Sequence, residues 1–261
     1  MKIPIYQIDA FTQKLFGGNP AAICHLPHWL DDKTLLNIAI ENNLSETGYF
    51  VKKDNIYEIR WFMPYAEIDL CGHATLAAAF VIFNYVDTSI NEIIFSSKSG
   101  ILKAKKEENN TITLDFPSRP PKPIEIPKEV YKAFKSNPIK AYGGRDLIIT
   151  VASEEDVLNE EPTLDVLKGL PYLCTVITAQ GNTSDFVSRV FDANLDIPLE
   201  DPVTGSAHAA LVPFWAEKLG KTKLKAHQLS KRGGELDCRV EKDRVFLSGY
   251  AVPYLIGEIE I

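Results

Sequence analysis

The chain has 261 residues, 45% of them hydrophobic, and a formal net charge of -7. That is apolar material for one large core or two modest ones of roughly 130 residues each. Its one cluster of lysines, Lys103, Lys105 and Lys106, is followed at once by Glu107 and Glu108. This pattern reads as a solvated strand end and argues against nucleic acid as a partner. Cys24, Cys71, Cys174 and Cys238 form no CxxC pair, and the opening MKIPIYQIDAF lacks a secretory layout, so a reducing, cytoplasmic setting is expected. The longest apolar stretch, Leu76 to Phe83, is shorter than the ~20 residues that span a bilayer, so no membrane partner is expected.

In chain order, alternating Ile3, Ile5 and Gln7 predict a strand, Gly17-Gly18-Asn19-Pro20 a turn, and the residues through Ile23 a second strand. Leu35, Leu36, Ile38, Ala39 and Ile40 predict a helix capped by Asp31 or Asp32. Strands follow at Tyr49 to Val51 and Tyr57 to Met63. After Cys71-Gly72-His73, the apolar run Ala74 to Val86 has the length and alanine content of a buried helix. Three β-prone runs, Ile93 to Ser96, Ile101 to Lys105 and Thr111 to Phe116, close this half.

The segment Pro117-Ser118-Arg119-Pro120-Pro121-Lys122-Pro123 interrupts regular structure, because each proline lacks a donor and biases its predecessor toward extended geometry. It is the expected linker, with lobes over residues 1–118 and 119–251. Beyond it come a short helix near Pro127 to Phe134 and strands near Leu147 to Ala152, Tyr172 to Ala179 and Phe186 to Phe191. Asp201-Pro202-Val203-Thr204-Gly205-Ser206 then opens a second apolar helix, and strands are expected at Leu224 to Ser230, Leu236 to Glu241, Arg244 to Ser248 and Tyr254 to Ile261.

The two helix starts resemble one another. Gly72-His73-Ala74-Thr75-Leu76-Ala77 and Gly205-Ser206-Ala207-His208-Ala209-Ala210 align about half the chain apart, with three of six positions matching. With the matching element order, this predicts two similar α+β lobes, each with an apolar helix packed in a sheet. Each helix opens on a glycine and a small or polar residue, leaving first-turn N–H groups accessible to an anion such as a carboxylate. Close packing is the alternative role for either glycine taken alone.

Gly17-Gly18-Asn19-Pro20-Ala21-Ala22, Asn43-Leu44-Ser45-Glu46-Thr47, Cys71-Gly72-His73-Ala74-Thr75, Asp201-Pro202-Val203-Thr204-Gly205-Ser206-Ala207-His208 and Gln228-Leu229-Ser230-Lys231-Arg232-Gly233-Gly234 resemble the signature blocks of the phenazine-biosynthesis-like (PhzF) family, in family order. They span almost the whole chain. The resemblance implies the pseudo-symmetric two-lobed fold of diaminopimelate epimerase: α+β, a curved mixed sheet around a central helix in each lobe, and the active site between lobes. It implies frequent homodimers and permits the terminal strand, residues 252–261, to return to the first lobe.

Carried over by position, Glu46 matches the family's catalytic acid/base, and His73, Asp201 and Ser206 match polar residues around the substrate. Residue chemistry agrees. Glu46, just before a strand and near Leu44, Tyr49 and Phe50, is placed to exchange a proton with carbon, with capping or surface exposure as the alternative. His73 lies at a helix start whose positive dipole end disfavours imidazolium, so a neutral substrate-contacting histidine is expected, with a structural role the alternative. Asp201 suits a substrate amine or hydroxyl and Ser206 a carboxylate, although both residue types also cap helices and form turns. Gly72 and Gly205 offer backbone N–H groups, Asn19 and Ser45 are further pocket candidates, and His208 reads as a packing residue.

The competing enzyme reading uses Cys71. Related epimerases and racemases place a cysteine at each helix start, and here the second position is Thr204, a poor base. Cys71 is otherwise an inert buried thiol. His25, His28, His73, His208 and His227 never take zinc spacing with the cysteines, and no Walker or GxGxxG sequence follows a strand. No metal and no cofactor are therefore expected. The expected reaction is isomerisation of a small carboxylated metabolite; the family's namesake isomerises a dihydro-hydroxyanthranilate during phenazine assembly. Epimerisation, dehydration and non-catalytic ligand binding remain open from sequence.

Overall fold

A computed structural model describes residues 1–194 and 199–261. The chain divides into two compact units, Met1–Phe116 with Phe246–Ile261, and Pro117–Val245. The first contains β1 (Lys2–Ala10), β2 (Asn19–His25), α1 (Asp32–Asn42), β3 (Glu46–Lys53), β4 (Ile56–Met63), β5 (Ala66–Ile68), α2 (Gly72–Val81), β6 (Glu92–Ser97), β7 (Gly100–Lys106) and β8 (Ile112–Pro117, its last residue across the boundary). The second contains β9 (Lys122–Ile124), α3 (Val130–Ala133), β10 (Lys140–Gly143), β11 (Leu147–Thr150), α4 (Glu154–Leu158), β12 (Thr175–Gln180), β13 (Phe186–Asp192), β14 (Leu199–Asp201), α5 (Gly205–Leu219), β15 (Lys223–Gln228) and β16 (Gly234–Glu241). Strand β17 (Arg244–Gly249) runs across the boundary, and β18 (Ala251–Glu260) lies in the first unit.

In the first unit β1 is flanked by antiparallel β2 and β18, while β2 and β3 run parallel. Ile3 and Ile5 project from one face into a core with Leu35, Ile38, Ala39, Tyr49 and Phe62, which seats α1. Helix α1 starts where expected: the Asp31 side chain accepts from Thr34 N–H at 3.0 Å. It ends at Asn43, whose left-handed φ of 48° suits an asparagine C-cap. Helix α2 differs in kind. Every residue from Gly72 to Val81 except Phe80 is buried, so the helix has no solvent face and packs against β1, β2 and β3. Its continuation, Ile82–Val86, widens into a π turn in which Asp87 N–H donates to the Ile82 carbonyl, and Tyr85 stacks on Tyr6 at 5.3 Å.

In the second unit β11 and β12 run parallel, β12 and β13 antiparallel, and β13 and β15 parallel. Ile149, Ile177, Val187 and Phe191 form a core with Val130, Phe134, Val157 and Leu167. Helix α5 is anchored by Trp215, which stacks on Phe186 at 5.8 Å and donates from Nε1 to Thr178 Oγ1 at 3.0 Å. Pro213 lies inside this helix and lacks the N–H that Ala209 O would otherwise receive. Arg119 N–H, from the proline-rich segment, donates to Ala209 O at 2.9 Å instead. That segment therefore repairs α5 as well as connecting strands.

Gly18 makes the turn into β2. Its φ is +60°, and an added Cβ would collide with the Ala10 carbonyl oxygen. Gly18→Ala is expected to cost about 2–4 kcal/mol in urea unfolding, combining left-handed strain with a backbone clash. A loss below about 0.5 kcal/mol would mean that the turn relaxes freely.

His208, in the first turn of α5, is fully buried, with Nδ1 2.8 Å from the Thr204 carbonyl and its ring beside Phe186. The packing role expected for it is the one observed. Burial lowers its pKa from 6.5 to about 4, against the opposing hydrogen bond to Thr204. The unfolded chain thus takes up the proton first as pH falls. Stability from neutral His208 is complete above pH 6.5 and is lost as pH falls toward 4, by up to roughly 3 kcal/mol. In unfolding experiments across that window, His208→Gln should show a shallower acid-side loss than wild type, and equal slopes would refute the assignment.

Candidate active site

In the first unit, neighbouring parallel strands bring two candidates close. Glu46 is the first residue of β3 and pairs with Ala21, two residues after Asn19 opens β2. The second residue of α2, His73, completes the group. Its Nε2 lies 3.1 Å from Glu46 Oε2, and its Nδ1 lies 3.1 Å from Asn19 Nδ2 and 3.5 Å from Cys71 Sγ. The Glu46 contact has ion-pair distance without the alignment of a hydrogen bond. Both side chains are nearly enclosed, 14% exposed for Glu46 and 4% for His73.

Two expectations need correction. Tyr49 is not part of Glu46's immediate setting, because side chains alternate along β3 and Tyr49 joins the core beneath α1, against which Leu44 also packs. Glu46 faces His73 instead. Nor is a neutral His73 favoured by this geometry. Burial does oppose the charged ring, but Cys71 and Glu46 outweigh it and hold His73 well above the usual histidine range. Cys71 and Glu46 together override the helix-dipole argument. Burial, followed by the Glu46 charge, pushes the Cys71 thiol up despite the opposing effect of His73.

Cys71 is the N-cap of α2, yet its side chain makes no capping bond; its carbonyl instead accepts from Thr75 Oγ1. Gly72 is the buried first residue of the helix. Ser45 is half-buried on the turn into β3, and Asn42 Nδ2 spans that turn to Thr47 Oγ1 at 3.0 Å.

The second unit gathers Asp201, Gly205 and Ser206. Asp201 ends β14, while Gly205 and Ser206 open α5, the glycine buried and the serine half-buried. Thr204, the N-cap, again does not cap: its hydroxyl donates to Asp201 Oδ2 at 2.5 Å. The N-cap side chains of α2 and α5 thus leave the first-turn N–H groups uncapped, as an anion-accepting helix start requires.

Gln228 is the partner that reading by motif did not single out. It is fully buried and accepts from Thr204 N–H at 2.8 Å while donating from Nε2 to the Asp201 carbonyl at 2.7 Å. The available signal was the alternation Leu224, Ala226, Gln228, which turns an amide toward the core, where it must find partners.

Glu46, Cys71 and His73 are also the residues of the first unit with metal-ligand chemistry in reach, their donor atoms lying within 4.8 Å of one another. They are separated in sequence, so zinc spacing does not reveal them. As a metal site the fit is poor: Glu46 faces Nε2 and Cys71 faces Nδ1, opposite edges of one ring. Among the described residues no helix is long and apolar enough to cross a membrane.

An uncharacterized isomerase of Pseudomonas aeruginosa is 42% identical over 261 residues, covering all of both chains. A crystal structure of a PhzF-family phenazine biosynthesis protein from Enterococcus faecalis is 46% identical, with a TM-score of 0.96 over all of both chains. The structure of a predicted epimerase from Pseudomonas aeruginosa matches with a TM-score of 0.78 at 17% identity, covering 98% of this chain and 99% of that one, a likeness of fold. The family model for phenazine biosynthesis-like proteins (PhzC-PhzF) matches residues 8–257, and the chain belongs to that family.

Proposed function

We propose that this protein is a cofactor-independent isomerase that moves a proton on a small carboxylate-bearing metabolite, with Glu46 as acid and base. The observation that carries the reading is the enclosed Glu46–His73 pair, with Asn19 and Cys71 against the other ring nitrogen. A carboxylate that takes a proton from an activated carbon and returns it elsewhere needs a nearly dry setting and a fixed partner. His73, held toward its charged form, supplies that partner. Each helix start by itself, that of α2 with Asn19 and that of α5 with Asp201 and Ser206, offers donors suited to a carboxylate or another polar group of a substrate. The isomerase name of the Pseudomonas aeruginosa relative supports the same class.

A second reading rests on Cys71, placed 3.5 Å from His73 where an epimerase-like thiol base would be. Its raised pKa weighs against it, since the thiolate is the form that accepts a proton.

Incubating the enzyme in heavy water with a panel of small unsaturated and amino carboxylic acids tests the class. The isomerase reading expects deuterium at an activated carbon of at least one acid and none in an unactivated control. Glu46→Gln should reduce that incorporation by about 10²–10⁴-fold or more while ligand affinity stays nearly constant. Cys71→Ala should keep most activity. An equal loss in Cys71→Ala with the fold intact would transfer the role to the thiol, and wild-type turnover in Glu46→Gln would end the proton-shuttle reading.

A further inference from the structure

We propose that Gln228 is a positioning residue: it sets the Asp201 carboxylate and the first turn of α5, and through them the affinity for substrate. The inference rests on the isomerase reading for the meaning of that affinity, and on geometry alone for the positioning.

Gln228 is the last residue of β15 and has no solvent exposure. A buried primary amide must satisfy a carbonyl and two N–H donors, and here its bonds converge on one four-residue segment. Oε1 accepts from Thr204 N–H at 2.8 Å, while Nε2 donates to the Asp201 carbonyl at 2.7 Å and to Thr204 Oγ1 at 3.3 Å. Because Thr204 N–H can only donate and the Asp201 carbonyl can only accept, the amide has a single orientation. The Thr204 hydroxyl, receiving that bond, points its own hydrogen at Asp201 Oδ2 at 2.5 Å. Asp201 is therefore held at both its backbone and its carboxylate through one amide.

The rest of the turn after β15 supports the same segment. Ser230 Oγ donates to the Pro202 carbonyl at 2.8 Å, and Gly234 leaves the space that Val203 fills, where a Cβ would collide with the valine side chain. His208 Nδ1, 2.8 Å from Thr204 O, fixes the remaining polar group of the N-cap. A segment gripped at each of its four residues presents Asp201, Gly205 and Ser206 in one geometry, with the Asp201 carboxylate itself held at Oδ2 by the Thr204 hydroxyl. That is what a binding surface needs from its support.

Two substitutions separate positioning from general stability. Gln228→Leu removes every bond. Gln228→Glu keeps the acceptor and recovers a donor only when its carboxyl is protonated. Hydrogen exchange of the substrate-free full chain is followed over residues 201–207, alongside heavy-water kinetics on an acid that the wild type deuterates. Gln228→Leu is expected to speed exchange at Thr204, Gly205 and Ser206 by at least about tenfold while the chain still unfolds cooperatively. It should raise KM by about tenfold or more with kcat within about threefold of wild type, the reverse of Glu46→Gln. Gln228→Glu should match Gln228→Leu at about pH 8 and approach wild type at about pH 5.5, measured against wild type at each pH. That return would not accompany a general loss of stability, and it keeps the test decisive if Gln228→Leu fails to fold. Unchanged exchange at 204–206, or a fall in kcat with KM constant, would overturn the proposal. If wild type deuterates no acid, the isomerase reading fails, and the exchange measurement still decides whether Gln228 holds the segment.

Discussion

Burying α2 on all sides is the constraint from which the first unit follows. A helix of Gly, Ala, Thr, Leu, Phe and Val with one histidine has no face to offer water, so strands must surround it. Its start is then forced into the interior too, where backbone N–H groups and an imidazole have to be satisfied away from solvent. Asn19 and Glu46 come against that imidazole because β2 and β3 begin beside it. A carboxylate and an imidazole in near-enclosure are expensive as separate charges and acceptable as a pair. The Glu46–His73 pair is therefore also part of how the unit closes around its central helix.

The two helix starts solve one problem with different atoms. The residue before the helix glycine, Cys71 or Thr204, has an extended or irregular backbone and turns its side chain away from capping. Four residues later a side chain reaches back to that residue's carbonyl, Thr75 Oγ1 in the first unit and His208 Nδ1 in the second. These are equivalent positions in the repeated segment, so a device of the fold survives while its chemistry changes. The change matters for pH response: a threonine does not titrate, whereas the buried His208 must stay neutral.

Much of this was legible from residue order. Helix α2, the Asp31 cap and the start of α5 follow from apolar runs bounded by glycine or aspartate, signals that are local. The placement of Glu46 with His73 came from family motifs, since residues in different elements carry no spacing rule. The electrostatics were less accessible. Helix-dipole reasoning favours a neutral His73 because it considers only the helix, whereas the neighbours that reverse it are Cys71 before the helix and Glu46 from β3. The proline-rich segment read as a linker, yet Arg119 within it supplies the donor that Pro213 withholds from α5. Pairings of this kind depend on register and packing, which a sequence encodes only jointly.

The asymmetry between Cys71 and Thr204 bears on which chemistry the fold can support. Inversion by two opposed bases needs a free lone pair and a proton-accepting state at both positions. Thr204 is a poor proton acceptor and is already engaged: its hydroxyl gives its hydrogen to Asp201 Oδ2 and receives one from Gln228 Nε2. Releasing it would break the bonds that hold the start of α5. Cys71 is a buried thiol with a raised pKa, its lone pairs next to an imidazole that is itself paired with Glu46. Glu46, by contrast, sets a carboxylate oxygen against a partner on an independent element, His73 of α2. Under the proposed function, one such base would take a proton and return it on the same side of a substrate, a proton shift and not an inversion.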